Sequence, residues 1–354
     1  MPQPGSIVKR PGIVRIRICR IGRFTGLAAE ETRSMPKRVI IDTDPGVDDL
    51  AAILLALASP ELQVEALTIS YGNGSMEQCA ANARHILKVA GRGDVPVYPG
   101  AQGPLLRKAN EGWAAHIHGG DALGGATAGD LRGSDDGDGI TQHAAVEIAR
   151  RASESPGEIT LLALGRMTNV ALALRLAPEI ADALAEVVVM GGAVRVPGNV
   201  SPVATANIHE DPEAAAILYD SGVRIVQVGL DVCDHCGFSD EQFARLVECP
   251  APAVRLLVSA SEYTRAAYRR LGRLAEGEAV RYNDVPAVAY AVDPTLFETE
   301  RLAVAVDTGG ELTRGQTVVD WYSMTGREAN VNVCLGVDAG RLTEMVVERL
   351  VSHS

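Results

Sequence analysis

Aromatic side chains are scarce. Phe, Trp and Tyr make up only 4% of the 354 residues, too few for the stacking platforms that hold single-stranded nucleic acid. A net charge of −12 argues equally against a phosphate backbone as partner. No apolar run approaches the roughly 20 residues that a membrane-spanning helix needs. Cysteines number six (Cys19, Cys79, Cys233, Cys236, Cys249 and Cys334). That is too sparse for a disulfide scaffold and fits a reducing compartment, so a cytoplasmic protein is expected. Cys233-Asp234-His235-Cys236 is the one pair at metal or redox spacing. Without a second such pair a closed zinc site is not expected, and the thiols read as loop residues.

What is present is an ordinary enzyme composition, 47% hydrophobic with 36 glycines, enough for one large α/β domain or two smaller ones. The charge is unevenly spread. Residues 1–34 carry seven basic side chains against Glu30 and Glu31. This leader lacks a continuous apolar segment and a clear cleavage site. It reads either as a targeting segment or, preferably, as a basic extension upstream of a start at Met35. It is expected to be disordered, with the catalytic domain spanning 35–354.

The stretch Val39–Leu57, VIIDTDPGVDDLAAILLAL, dominates the remainder. Val39, Ile40 and Ile41 read as a buried strand. Pro45 and Gly46 break it, and Leu50, Ile53, Leu54 and Leu57 then recur at helical spacing. Asp42, Asp44, Asp48 and Asp49 therefore crowd one strand-to-helix turn. Free N–H groups and the helix dipole account for the last two. Like charges this close raise one another's pKa unless a cation compensates them, which points to a bound hard metal. An EF-hand loop counted from Asp42 would place Val47 and Ile53 where Gly and Glu belong, so that reading fails. A dehalogenase-type magnesium phosphatase, with Asp42 as nucleophile, shares the strand ending in DxD but keeps its second acidic pair far downstream.

Further along, Val64–Ser70 predicts a second strand, with Asn73 just beyond its carboxyl end, where open α/β sheets bind ligands. A helix over 75–90 and a strand over 95–98 follow. Residues 99–139 form a Gly- and Asp-rich irregular region of the kind that often makes a lid. Strands at 159–164, 186–190 and 224–230 alternate with helices at 140–154, from 168 and from 211. Helices over 239–248, 252–271, 285–292 and 338–350 complete the pattern. Such alternation predicts a mostly parallel sheet covered on both faces.

DTDPGVDD resembles the signature of the inosine–uridine-type nucleoside hydrolases. HIHGGDALGG (116–125), ALGRMTNVA (163–171), MGGAVRVPGN (190–199), ANIHEDPEAA (206–215) and NDVPAVAYAVDP (283–294) extend the resemblance over about 37–350. It implies a single Rossmann-like α/β domain with a mixed, mostly parallel sheet of about eight strands. The implied reaction is hydrolysis of the N-glycosidic bond of a ribonucleoside, or a close ribosyl relative, by calcium-activated water. Asp44, Asp49 and Asp284, with the backbone carbonyl of Leu164, match the calcium ligands. Asp44 also matches the general base. Asp48 and Asn73 match groups that hold the ribose hydroxyls, and Asp42 matches a support for the turn. Met190, Asn199 and Asn207 match the wall around the sugar's 5′ end. The resemblance further implies a homodimer or homotetramer.

Two positions depart from that pattern. Thr205 stands where many relatives carry a Glu near the 5′-hydroxyl. Asn283 stands where a His precedes the last metal Asp, and an amide cannot act as a general acid. His118, Trp113, Tyr263 or Tyr268 could instead act on the leaving base. These departures also leave open a non-catalytic, calcium-dependent ribose-binding protein.

Overall fold

Three consecutive β-branched residues, Val39, Ile40 and Ile41, are fully buried because helices cover both faces of the strand they form. In this computed structural model, residues 35–109, 114–127, 139–272, 274 and 278–352 are described. The basic extension over 1–34 and Trp113 lie outside the described residues. The main sheet is built from β1 (Lys37–Thr43), β2 (Leu62–Ile69), β3 (Val97–Pro99), β4 (Ile159–Ala163), β5 (Glu186–Met190), β6 (Ile225–Val228), β7 (Phe297–Leu302) and β8 (Val331–Val337). Their spatial order is β3-β2-β1-β4-β5-β6-β8-β7. Every pairing is parallel except β8 with the edge strand β7. The expected mixed, mostly parallel α/β sheet of about eight strands is therefore the observed one.

Helices fall on both faces. On one lie α1 (Val47–Ala58), α2 (Met76–Val89), α6 (Asp240–Glu248), α7 (Pro252–Arg270), α8 (Val285–Val292) and α9 (Ala339–Ser352), packed on Val39, Ile41, Leu67 and Val188. On the other lie α3 (Ala144–Glu154), α4 (Thr168–Leu176) and α5 (Pro212–Tyr219), packed on Ile40, Leu161, Val187 and Ile225. Successive side chains of β1 thus enter opposite cores, as the period of two requires. The strand order reverses beside β1, between β2 and β4, so a crevice opens at their carboxyl ends. Asp42, Asp44 and Asn73 are delivered there.

Two details differ from expectation. The third strand begins at Val97 rather than at 95. The CxxC segment is not a loop throughout, since Leu230–Cys233 makes one helical turn. Cys233 and Cys236 are buried, and both thiols donate to backbone carbonyls. Burial pushes both up in pKa, so neither is a ready thiolate.

An ion network fastens α3 to the sheet. Buried Glu147 accepts from Arg150 and Arg151, Arg151 also reaches Glu65, and Glu65 is held by Arg38. Burial pushes the Glu147 carboxyl up, but the two arginines outweigh it and leave its pKa below the ordinary value; the hydrogen bond from Arg38 does the same for Glu65. A depressed folded-state pKa means stability that is present above the unfolded value of 4.5 and lost as pH falls through the folded one. The urea midpoint should therefore drop on acidification below about pH 4.5, and Glu147→Gln should lower it at neutral pH and flatten that dependence. An unchanged acid dependence in the variant would show that Glu147 contributes nothing to it.

Candidate active site

Pro45 and Gly46 end β1 and let α1 start at Val47, which folds the acidic turn tightly. Asp49, fully buried, caps its own helix. Its Oδ1 accepts from the Thr43 hydroxyl and the Asp44 N–H, and its Oδ2 accepts from the N–H of Gly46 at 2.9 Å and from Asn73 Nδ2 at 2.9 Å. Asn73 also donates its backbone N–H to Asp44 Oδ2 at 2.7 Å and its side-chain amide to the Asp44 carbonyl. The turn after β2 is thereby sewn to the turn after β1. Asn82 on α2 extends the stitching, donating to the carbonyls of Pro45 and of Asp121 in the 114–127 segment.

Asp42 supports this turn from below. Thr68 and Asn169 donate to its Oδ2 at 2.7 and 3.0 Å. It is fully buried, burial pushes its pKa up to about 7, and it does not line the cleft. It cannot meet a phosphoryl group, which removes the structural basis for a phosphatase built on it.

Asp48, Asp49 and Asp284 each offer a carboxylate oxygen within 4.8 Å of the others. Asp284 arrives from the N-terminus of α8, far along the chain. Burial, then mutual repulsion with Asp48, Asp49 and Asp44, raises the Asp284 pKa well above the usual range. Asp48 is pushed up to about 6, chiefly by burial, and its Oδ1 is buried with no hydrogen-bond partner. An orphaned carboxylate oxygen inside an all-oxygen acidic cluster suits a hard divalent cation. Asp48, expected to hold ribose, stands within this cluster beside Asp49 and Asp284, and Asp44 adjoins it with its Oδ2 bound by Arg166 and the Asn73 N–H.

Asp44 faces Arg166, a residue that motif reading passed over. Arg166 is only 2% exposed. Its Nη1 donates to Asp44 Oδ2 and, at 3.3 Å, to Asn207 Oδ1, while its Nε donates to Glu210 at 3.0 Å. Burial opposes the guanidinium charge, but Asp44 and then Glu210 more than restore it. The close approach needs glycine nearby. A Cβ on Gly165 would lie 2.6 Å from Asp44 Oδ1, and one on Gly72 only 2.1 Å from Oδ2. The signal that could have found Arg166 is its place just beyond the carboxyl end of β4, inside ALGRMTN.

The cleft above has a volume of about 560 Å³ and is lined by Asp44, Asp48, Asn73, Leu164, Asn283 and Asp284 at its floor and by other predicted residues on its walls. Asn207 Nδ2 donates to the carbonyls of Leu164 and Met190, so the Leu164 carbonyl does face this site. Asn199 accepts from the Ala206 N–H at 3.0 Å. The Thr205 hydroxyl oxygen takes the Gly192 N–H at 2.9 Å, which fixes its position on the wall and leaves its O–H and a second lone pair. Asn283 gives its backbone N–H to Asp48. Tyr268 lines the cleft, whereas Tyr263 does not and donates instead to the Ala115 carbonyl.

His118 is buried and takes the Val47 N–H on Nδ1 at 3.2 Å, which leaves Nε2 facing Asp48 at 3.8 Å. Burial pushes its pKa down to about 4. At neutral pH it is uncharged, held by the Val47 N–H and close to Asp48 without a hydrogen bond to it.

The architecture and these motifs have counterparts among known proteins. The family model for inosine-uridine preferring nucleoside hydrolases matches residues 39–344. An inosine-uridine preferring nucleoside hydrolase of Leishmania major is 36% identical over 318 residues, covering 89% of this chain and 98% of that one. A pyrimidine-specific ribonucleoside hydrolase of Citrobacter koseri is 35% identical over 316 residues, with 89% and 98% covered. Among solved structures, a plant nucleoside hydrolase superposes with a TM-score of 0.82 at 34% identity, covering 90% of this chain and 99% of that one. A purine-preferring ribonucleoside hydrolase from Gardnerella vaginalis gives 0.81 at 32%, with the same coverage. In sequence over nearly its whole described length, and in the sheet that carries its acidic cleft, the chain belongs to the inosine-uridine preferring nucleoside hydrolases.

Proposed function

We propose that this cleft hydrolyses the N-glycosidic bond of ribonucleosides to ribose and free base, with Asp44 as general base and calcium as cofactor. The observation that carries this reading is the convergence of Asp44, Asp48, Asp49, Asn73 and Asp284 at one crevice of the sheet. Asp48, Asp49 and Asp284, with the Leu164 carbonyl and Asp44, would hold the cation. When bound, such an ion supplies Lewis-acid charge that makes a water acidic enough for a carboxylate to deprotonate. Asp44 receives the proton, with its Oδ2 fixed by Arg166 and Asn73. Asn73, whose Oδ1 has no partner among the described residues, accepts from a ribose hydroxyl. Met190, Asn199, Thr205 and Asn207 shape the wall at the sugar's 5′ end. Attack at C1′ proceeds through an oxocarbenium-like state whose positive charge the flanking carboxylates stabilise.

A screen of purine, pyrimidine and 5′-modified nucleosides for ribose release tests the reading. Release from at least one is expected. Ligand-induced stabilisation with no turnover on any would mean a ribose-binding protein instead. No described helix is long and apolar enough to span a membrane. A cytoplasmic homodimer or homotetramer is our working assembly, and light scattering decides the stoichiometry.

The leaving base gets no acid from Asn283, and His118 is buried, neutral and held by the Val47 N–H. Turnover should therefore depend strongly on how well the base departs unaided. p-Nitrophenyl riboside should be cleaved faster than inosine or uridine by about 10² to 10⁴, the usual worth of general acid catalysis. Asn283→His should narrow the gap by raising the slow substrates alone. Equal turnover on both, with chemistry rate-limiting, would reveal another acid, and Tyr268 would be the next residue to replace.

A further inference from the structure

Arg166 has one arm left over. Its Nε is taken by Glu210 and its Nη1 by Asp44 and Asn207, but Nη2 has no hydrogen-bond partner among the described residues. Arg166 is almost wholly buried and lines the cleft. A guanidinium presenting N–H donors in a fixed plane is suited to anionic oxygens. More cations line the same cleft. Arg314 lines the cleft while paired with Glu213. Arg107 also lines it and acts electrostatically on that same Glu213. Lys108 follows on the same loop, and both Arg107 and Lys108 are exposed. The loop is anchored here because the Leu105 N–H donates to Asp211 at 3.0 Å. Glu210 and Asp44 balance the charge of Arg166 itself, so the additional pull on an anion comes from the exposed rim. A phosphate on the 5′-carbon would bring anionic charge to the wall that Arg166 shares with Asn207.

We infer that the Arg166 wall is a subsite for an anionic 5′ substituent, and that ribonucleoside 5′-phosphates are substrates of this cleft. The inference rests on the reading above, in which Asn207, to which Arg166 donates, belongs to the wall at the sugar's 5′ end. Water attacks C1′, the C1′–N bond breaks, the bonding pair and a proton go to the base, and ribose 5-phosphate is the second product.

Calorimetry on the full chain with ribose 5-phosphate and ribose tests it without relying on turnover. Ribose 5-phosphate should bind tighter by about tenfold or more. Arg166→Gln should bring the ratio near one, and because Arg166 also touches Asp44 and Asn207 the readout is the ratio of the two affinities within the variant. Arg107→Gln with Lys108→Gln leaves the buried floor intact and should reduce the preference several-fold. Equal affinities in the wild type, or a preference that survives both variants, would overturn the subsite. So would inorganic phosphate that binds without competing against ribose 5-phosphate. Base release separates the two readings. Cleavage of uridine but not of its 5′-phosphate sinks this inference alone. Tight ribose 5-phosphate binding with no cleavage of any nucleoside or nucleotide sinks the hydrolase and leaves the subsite.

Discussion

Asp44→Asn should yield a folded protein whose turnover is about 10² to 10⁴ lower, the range a positioned general base contributes. The amide keeps an oxygen to accept from Arg166 and the Asn73 N–H, so the local hydrogen bonding can survive. What it loses is the capacity to take a proton. Stability should move little, because two effects oppose each other. Arg166 loses one of its two anionic partners, while Asp48, Asp49 and Asp284 lose a like-charged neighbour. The kinetic signature, read at saturating calcium because Asp44 also helps to hold the cation, should be a fall in kcat that far exceeds any change in KM. A variant within about tenfold of wild type would mean that another carboxylate is the base. Asp48, with its orphaned Oδ1, would then be the candidate.

The strand, turn and helix around Asp44 were legible in the sequence because local rules coincide there. A β-branched run, a Pro-Gly break and a helical period each point the same way. The parallel sheet followed from alternation of strands and helices, and the comparisons bear that architecture out. The antiparallel edge formed by Phe297–Leu302 against Val331–Val337 was not legible. Pairing across a long connection leaves no periodic mark in either strand. Within the site, legibility stopped where partners come from distant segments. Arg166 looks like any charged residue at a helix start until Asp44, Asn207 and Glu210 are placed around it. Likewise nothing in DTDPGVDD distinguishes Asp44 from Asp48 as the partner of Asp284. Only the fold shows that Asp48 lies within reach of Asp284 and that Arg166 packs against Asp44. His118 shows the converse. Its lid position suggested an acid, and only the Val47 N–H on Nδ1 and the burial of the ring reveal a neutral imidazole.

Removal of metal should abolish activity and lower thermal stability together, and calcium should restore both. The coupling follows from the cluster itself. Burial raises the pKa values of Asp48, Asp49 and Asp284, and their mutual repulsion adds to it for Asp49 and Asp284, so without a counter-ion the fold holds these charges at a cost. A ligand that binds only the folded state adds about 2.7 kcal/mol at a hundred times its Kd, which should appear as a rise of several degrees in Tm. The donors would come from the turn after β1, the first turn of α1, the end of β4 and the start of α8, and such a dispersed all-oxygen set suits the loose shell of calcium better than the strict octahedron of magnesium. Calcium should therefore restore more than magnesium does at equal concentration. Asp284→Asn should remove most of the calcium-dependent rise in Tm, because it strips the one carboxylate that joins α8 to the acidic turn. That readout is independent of catalysis. Full activity in protein shown by elemental analysis to be metal-free would overturn the assignment. A calcium-dependent rise in Tm that persists in Asp284→Asn would place the ion elsewhere in the chain.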